Sequence, residues 1–264
     1  MRVLVSGCST GIGRATVVEL AARGHAVLAT ARRPETLEGL AAAAKLCLDV
    51  DDDGSVRDCL AAAGRVDVLV NNAGIDVSGP VEKVPIEAAR RLFETNVLGA
   101  ARLIQAVLPQ MRERRGGAIV NVSSIAGRVG APLAGFYSAS KFALEGLCEA
   151  LHFELSHFGV RVALVELGYF GTAMGGKSPR YGLDEPPYDA LERLWERSES
   201  TLTGGERPGP EIAARGIADA VEGAEDRLRW RVGDDAELVL DARASLDDAA
   251  FEAAMRRTLG LEEW

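Results

Sequence analysis

The chain has 264 residues and a formal net charge of −9. That excess of carboxylates argues against a partner with a phosphate backbone, so nucleic-acid binding is set aside. No apolar run reaches the roughly 18–20 residues needed to span a bilayer, so no membrane partner is expected. The 4 cysteines and 3 histidines lack metal-ligand spacing, which implies reduced thiols and no catalytic metal; with Met1 directly before the first strand, a soluble, cytoplasmic protein is expected.

In chain order, Arg2-Val3-Leu4-Val5-Ser6 reads as an apolar strand that leads into Gly7-Cys8-Ser9-Thr10-Gly11-Ile12-Gly13 and then an amphipathic helix from Arg14 to Arg23. Glycines let the backbone turn tightly and approach a pyrophosphate with no Cβ in the way, while helix N–H groups face the anion. The same turn without a ligand is the alternative. Gly24 to Thr30 makes a second strand, followed by Ala31, Arg32 and Arg33 where an NAD-binding unit carries an acidic residue for the ribose hydroxyls. No carboxylate is there to repel a ribose phosphate, and the planar fork of Arg32 can pair with one. The pocket therefore reads as NADP(H) rather than NAD(H), against the alternative of a solvated Arg pair ahead of Pro34-Glu35-Thr36-Leu37.

Further strands are expected at 45–49, 66–70, 117–122, 160–166 and 228–232, with helices between them. Arg227, Arg229 and Arg231 alternate with Leu228, Trp230 and Val232, the period of an edge strand with one polar face. Ser124 stands thirteen residues before Tyr137, and Tyr137 four before Lys141. On a helix expected from about Tyr137 to His157, that last spacing puts phenol and ammonium on one face. A phenol with a pKa of about 10 exchanges protons poorly at neutral pH unless a cation favours the phenolate. Lys141 can be that cation, and Ser124 can hydrogen-bond the oxygen that Tyr137 protonates, which describes a site for interconverting a carbonyl and an alcohol. Taken alone, Tyr-x-x-x-Lys also arises by chance as an exposed Lys near a buried Tyr.

These motifs recur in one order: a variant of Thr-Gly-x-x-x-Gly-x-Gly at Ser6 to Gly13, Asp49, Asn71-Asn72-Ala73-Gly74, Asn96, Ser124, then Tyr137 and Lys141. Over roughly residues 1 to 175 the chain resembles the single-domain branch of the short-chain dehydrogenase/reductase family. The phrases Ser-Gly-Cys-Ser-Thr-Gly-Ile-Gly and Leu-Ala-Thr-Ala-Arg look most like its hydroxysteroid and retinol dehydrogenase members. The resemblance implies an α/β, doubly wound Rossmann fold, with a seven-stranded parallel sheet of order 3-2-1-4-5-6-7 and helices on both faces, as one domain over 1–264.

By that resemblance Tyr137 is the general acid/base, Lys141 lowers its pKa and holds the nicotinamide ribose, Ser124 positions the substrate oxygen, and Asn96 anchors a proton-resupply path. The pyrophosphate loop would comprise Gly7, Ser9, Thr10, Gly11, Ile12 and Gly13, with Arg32 and Arg33 selecting NADP(H). Asp49 and Val50 would meet the adenine, Asn72, Ala73 and Gly74 the adenine ribose, and Thr172 the carboxamide. Three positions depart from the pattern: Ser6 for Thr, Leu167 for the Pro before Gly168, and Thr10 where many NADP-preferring relatives carry a basic residue.

Residues 171–210 hold paired glycines and prolines around a helical stretch from Tyr188 to Glu199 and resemble the family's substrate lid. Met174, Tyr181, Leu183, Tyr188, Leu191 and Trp195 would form its apolar wall, and an ordinary surface excursion is the alternative. The helices near Arg91 to Arg114 and Tyr137 to His157 match those that relatives pack against a symmetry mate, and runs such as Leu103-Ile104 with Val107-Leu108, and Leu144 with Leu147 and Leu151, imply a homodimer or homotetramer. The functional expectation is an NADP(H)-dependent oxidoreductase for a small hydrophobic ketone, aldehyde or alcohol. Its alternatives are a non-catalytic NADP-binding regulator, which needs neither the phenol nor its lysine, and a sugar-nucleotide epimerase or dehydratase, whose glycine spacing is not matched.

Overall fold

Short runs of Val, Leu and Ala with no polar face build a sheet covered on both sides. In the structure, a computed structural model describing residues 1–171, 178–202, 205, 207–224, 227–262 and 264, the first six elements are β1 (Arg2–Val5), α1 (Gly11–Ala22), β2 (Ala26–Ala31), β3 (Ala44–Cys47), α2 (Asp53–Ala63) and β4 (Val68–Asn71). Next come α3 (Ile86–Phe93), α4 (Ala100–Arg114), β5 (Gly117–Ser124), α5 (Gly135–Ser156) and β6 (Val160–Leu167). The chain continues with α6 (Tyr188–Leu202), α7 (Pro210–Glu222), β7 (Arg229–Val232), α8 (Asp234–Ser245) and α9 (Asp248–Thr258). All seven strands pair in parallel, in the order β3-β2-β1-β4-β5-β6-β7.

The pleat sorts each strand between two cores. Val3 and Val5 of β1 join Val27, Val68 and Val70 beneath Val17 and Leu20 of α1 and Ile217 of α7. Leu4 turns the other way, with Leu28, Leu69 and Ile119, beneath Val56 of α2, Leu103 and Val107 of α4, and Leu144 and Leu151 of α5. The apolar residues expected to face a symmetry mate are thus largely spent in this second core. Leu98, Phe142 and Phe153 are instead the large apolar side chains left exposed near those helices.

Several boundaries differ from the sequence expectation, and most of the differences move a site residue. α1 starts at Gly11 rather than Arg14, so the last two loop glycines form its first turn. β4 ends on Asn71 and β5 runs on to Ser124, which carries both residues to the sheet's C-terminal edge. The helix expected from Arg91 is broken: between α3 and α4 a wider π-helical turn spans Glu94–Gly99 and holds Asn96, a distortion that re-aims side chains. Arg227 lies outside β7. Arg229 and Arg231 do not form a merely solvated face, because both reach the buried Glu166.

Strand order reverses between β1 and β4, and the crevice outside their C-terminal ends is where such sheets take ligands. Two glycines make that crevice possible. Gly7 adopts φ +73°, and a Cβ there would lie 2.9 Å from Ala73 Cα; on Gly13 a Cβ would lie 2.3 Å from the Gly7 carbonyl oxygen and 2.4 Å from Asn72 Nδ2. Gly13→Ala is therefore expected to cost about 1–3 kcal/mol through overpacking, with Tm falling by about 2–4 °C per kcal/mol. A calorimetric scan checks it, and an unchanged Tm would mean that the loop yields without cost.

Candidate active site

The loop after β1 is tied to the loop after β4 through one hydroxyl. Ser6 Oγ accepts from the backbone N–H of Asn72 at 3.0 Å and of Ala73 at 2.9 Å, while Asn72 Nδ2 donates to the carbonyls of Ser6 at 2.9 Å and Gly7 at 3.2 Å. Serine in place of threonine keeps the oxygen that this arrangement needs. Above it, α1 presents a turn with no acidic residue, capped by extended Thr10. These are the conditions for an anion at a helix N-terminus.

At the end of β2, Ala31 is buried and Arg32 and Arg33 are exposed, and among the described residues neither guanidinium pairs with a carboxylate. Asp49 follows β3, its N–H donating to Ser55 Oγ at 2.8 Å and its Oδ1 accepting from Asp51 N at 3.2 Å. Val50 is buried against Gly99, where a Cβ would come within 2.8 Å of its side chain. Gly74 borders the Asn96 amide, 3.3 Å from where its Cβ would be. The glycine cradle, the acid-free helix turn and the two unpaired arginines fit a dinucleotide carrying an extra phosphate.

The Asn96 amide, buried in the π-helical turn, grips Ile75 by both backbone groups: its Oδ1 accepts from Ile75 N at 2.8 Å and its Nδ2 donates to Ile75 O at 2.9 Å. The same Nδ2 donates to Ser140 Oγ at 3.2 Å, and Ser140 in turn donates to the Tyr137 carbonyl at 2.7 Å. Neither Ile75 nor Ser140 was legible as a site residue, because a backbone grip leaves no mark on residue type.

Ser124 ends β5 and accepts from Ala126 N at 3.1 Å, which fixes its hydroxyl, and it hydrogen-bonds the Tyr137 phenol. Tyr137 lies in the first turn of α5 with Lys141 one turn on, its Nζ 5.7 Å from the phenol ring centroid. The expected lowering of the phenol by Lys141 is not what this geometry produces. Burial pushes the phenol up, the Asp76 carboxylate adds to the rise, and the Ser124 hydrogen bond opposes it. The Lys141 ammonium is engaged elsewhere, donating to the Val122 carbonyl at 2.9 Å, and burial holds its pKa down to about 8 against the pull of Glu145, Asp76 and Cys148.

Behind Lys141, Glu145 Oε1 accepts from Ser123 Oγ at 2.6 Å and its Oε2 from Arg229 Nε at 3.0 Å. Glu166, also buried, is met by Arg128 at 3.1 Å and Arg229 at 3.2 Å. Asp235 pins the loop after β6, accepting from Tyr169 N at 2.7 Å, while Gly168 N donates to the Val232 carbonyl at 3.0 Å. The loop is thus held even though Leu167 stands in the place of proline. Charged residues far along the chain supply these supports, and their spacing gives no signal.

Thr172 and Met174 lie outside the described residues. Of the other lid residues, Tyr181 packs against the same buried residues, Val77, Val84 and Leu92, as Ile75, Phe136 and Tyr137 do. Leu183 and Leu191 are buried, and with Tyr188 and Trp195 they pack on Leu133, in the loop before α5, and on Leu259 and Leu261 of the C-terminal segment. The Tyr188 hydroxyl hydrogen-bonds Glu82. The structure therefore divides the expected wall into a part in the cluster that includes Tyr137 and a part on the tail.

Residues 1–181 match the family model for short chain dehydrogenases. The chain is 42% identical over 174 residues to a 3-ketodihydrosphingosine reductase of Bacteroides thetaiotaomicron, a match taking in 64% of each protein, less than two thirds of that relative's length. It is 44% identical over 250 residues to retinol dehydrogenase 8 of Bos taurus, covering 87% of this chain and 80% of that one. A Burkholderia cenocepacia short chain dehydrogenase, solved in complex with NADP, superposes with a TM-score of 0.77 at 27% identity, covering 98% of this chain and 96% of the other. The sheet order, the glycine turn and the Ser124, Tyr137, Lys141 set carry the same conclusion: the chain belongs to the short-chain dehydrogenase/reductase family.

The Lys141 environment makes stability depend on pH. Folding lowers its pKa from 10.5 to about 8, so between those values the unfolded chain binds the extra proton and raising the pH stabilises the native state; below pH 8 the full cost of burying the cation is present. At about 1.4 kcal/mol per unit this amounts to roughly 3 kcal/mol. Urea midpoints of wild type and Lys141→Met, measured from pH 8 to 10.5, are expected to show the variant's relative stability falling by about that amount as the wild type gains. A constant difference would contradict the shift.

Proposed function

We propose that the chain is an NADP(H)-dependent reductase and alcohol dehydrogenase for a hydrophobic ketone or aldehyde, with 1–264 acting as one domain and 171–210 as its lid. The observation that carries this reading is the convergence of Ser124, Tyr137 and Lys141 at the strands' C-terminal edge, beside a helix turn and two arginines suited to a phosphorylated dinucleotide. When bound, the cofactor would supply or accept the hydride. Gly7 to Gly13 and the N-terminus of α1 would hold its pyrophosphate, Arg32 and Arg33 its additional phosphate, and Asp49, Val50 and Asn72 to Gly74 its adenosine side.

Ser124 would donate to the substrate oxygen and orient it on Tyr137 Oη. Tyr137 would pass its proton to that oxygen during reduction and take it back during oxidation. Lys141 would hold positive charge near the phenol, and Asn96, through Ser140, would keep the Tyr137 turn in register. The apolar cluster around Tyr137, with Tyr181 and Phe136, favours an apolar body next to the carbonyl. Relatives named for 3-ketodihydrosphingosine and retinol agree with a carbonyl or alcohol substrate. The exposed Leu98, Phe142 and Phe153 support a homodimer or homotetramer. No described helix is long and apolar enough to cross a membrane.

Two measurements test this reading. Tyr137→Phe is expected to lower kcat with NADPH and a carbonyl by about 10²–10⁴ while NADPH affinity, read by calorimetry, stays near wild type. Full turnover by the variant would overturn the role given to the phenol. Wild type is expected to bind NADPH more tightly than NADH, and Ala31→Asp combined with Arg32→Gln to reverse the order, because the change removes a cation and sets a like charge against the phosphate. Equal affinities in the wild type would overturn the cofactor assignment.

A further inference from the structure

The first carboxylate after the Asn-Asn-Ala-Gly loop has no part in the roles above, yet its charge acts on both Tyr137 and Lys141. Asp76 follows Ile75, whose backbone is gripped on both sides by Asn96, and it precedes Val77, buried in the same apolar cluster as Tyr137 and Tyr181. Its backbone therefore has little freedom to swing the carboxyl away. One oxygen, Oδ2, accepts a long hydrogen bond of 3.5 Å from Ser178 Oγ. The other, Oδ1, is shielded from solvent and has no hydrogen-bond partner among the described residues. The strand-like contact of Ser78 with Pro179 and Tyr181, at 3.0 and 2.9 Å, closes the returning segment over this spot.

A buried carboxylate oxygen without a donor is costly, and native proteins rarely leave one unless a ligand, ion or water completes it. Lys141 does not complete it, since its ammonium donates to the Val122 carbonyl. The carboxylate nonetheless acts on the site: burial raises its pKa while the Val77 N–H, the Ser178 hydroxyl and then Lys141 oppose the rise, and its charge adds to the elevation of the Tyr137 phenol. An apolar cluster with one such oxygen close to the proton-transfer group would suit a substrate that is apolar overall but carries a hydrogen-bond donor close to the reacting carbon.

We infer that Asp76 is a specificity residue that accepts a hydrogen bond from a hydroxyl or ammonium group on the carbon next to the substrate's carbonyl, so that the site selects α-hydroxy or α-amino ketones over plain ones. The inference rests on the reductase reading and narrows its substrate class. Charge-assisted hydrogen bonds set the scale, at about 10–100-fold in affinity.

The test compares acetophenone, α-hydroxyacetophenone and α-aminoacetophenone with wild type, Asp76→Asn and Asp76→Leu. The readouts are kcat/KM with NADPH and Kd on NADP⁺-loaded protein by calorimetry. NADPH affinity serves as the check that each variant is folded. The intrinsic reactivities of the three carbonyls cancel when the ratio between substrates is compared across variants. In wild type the donor-bearing ketones are expected to exceed acetophenone, and in Asp76→Leu the advantage should shrink by about 10–100-fold. The isosteric Asp76→Asn, which keeps an acceptor oxygen without the charge, should retain the hydroxy preference and lose the amino preference. A ratio that survives in Asp76→Leu, or in Asp76→Asn for the amino ketone should the leucine variant fail to fold, overturns the inference. Equal Kd values for all three ketones on wild type overturn it as well. NADPH binding without turnover of any carbonyl would instead overturn the reductase reading, and the Kd ratios would still decide the role of Asp76.

Discussion

Everything at the functional edge hangs on the Ser6 hydroxyl. It accepts from two consecutive backbone N–H groups of the loop after β4, and the Asn72 amide returns two donors to the loop after β1. Because β1 and β4 are the neighbours at which strand order reverses, this clamp closes the point where the two halves of the sheet diverge. The chain then runs from Asn72 to Ile75, across the Asn96 amide to Ser140, and on to the carbonyl of Tyr137. A path of backbone and hydrogen bonds thus links the glycine turn to the first turn of α5. Its members are buried or half-buried, where each unmade bond would carry the full desolvation cost.

A second constraint is electrostatic. α5 carries a buried cation, Lys141, and one turn later a buried carboxylate, Glu145, and neither is tolerable alone in a low-dielectric interior. The solution reaches across the sheet: Arg229 of β7 bridges Glu145 and Glu166, and Arg128 reaches Glu166 from the loop after β5. The last strand is thereby recruited to hold the helix that presents Tyr137. Asp235 does similar work at the loop after β6, where it receives the Tyr169 N–H.

The walls around the phenol are apolar for a local reason and polar at one point. Ile75, Phe136, Tyr137 and Tyr181 pack against buried Val77, Val84 and Leu92, and burial pushes the phenol up. Asp76 interrupts that wall with an oxygen that nothing described completes. Trp195 and Leu191, by contrast, pack against the tail residues Leu259 and Leu261, which ties α6 to the end of the chain.

Short apolar runs and punctuating glycines marked the seven strands, because strand patterning and tight-turn chemistry are local properties, while the strand order followed from the family resemblance of the motifs. Tyr137 and Lys141 were legible because helix geometry puts residues four apart on one face. Arg32 and Arg33 were legible because the absence of an acid at a strand end is itself a local signal. What only tertiary structure decided depends on contacts between distant segments: the π-helical turn that aims Asn96 at Ile75, the union of Glu145 and Glu166 with Arg229, the consumption of Leu103, Val107 and Leu144 by the core, and the orphaned oxygen of Asp76. Burial and pairing set the cost of each charge, and neither can be read from spacing, since both depend on which side chains the folded sheet brings within a few ångströms of one another.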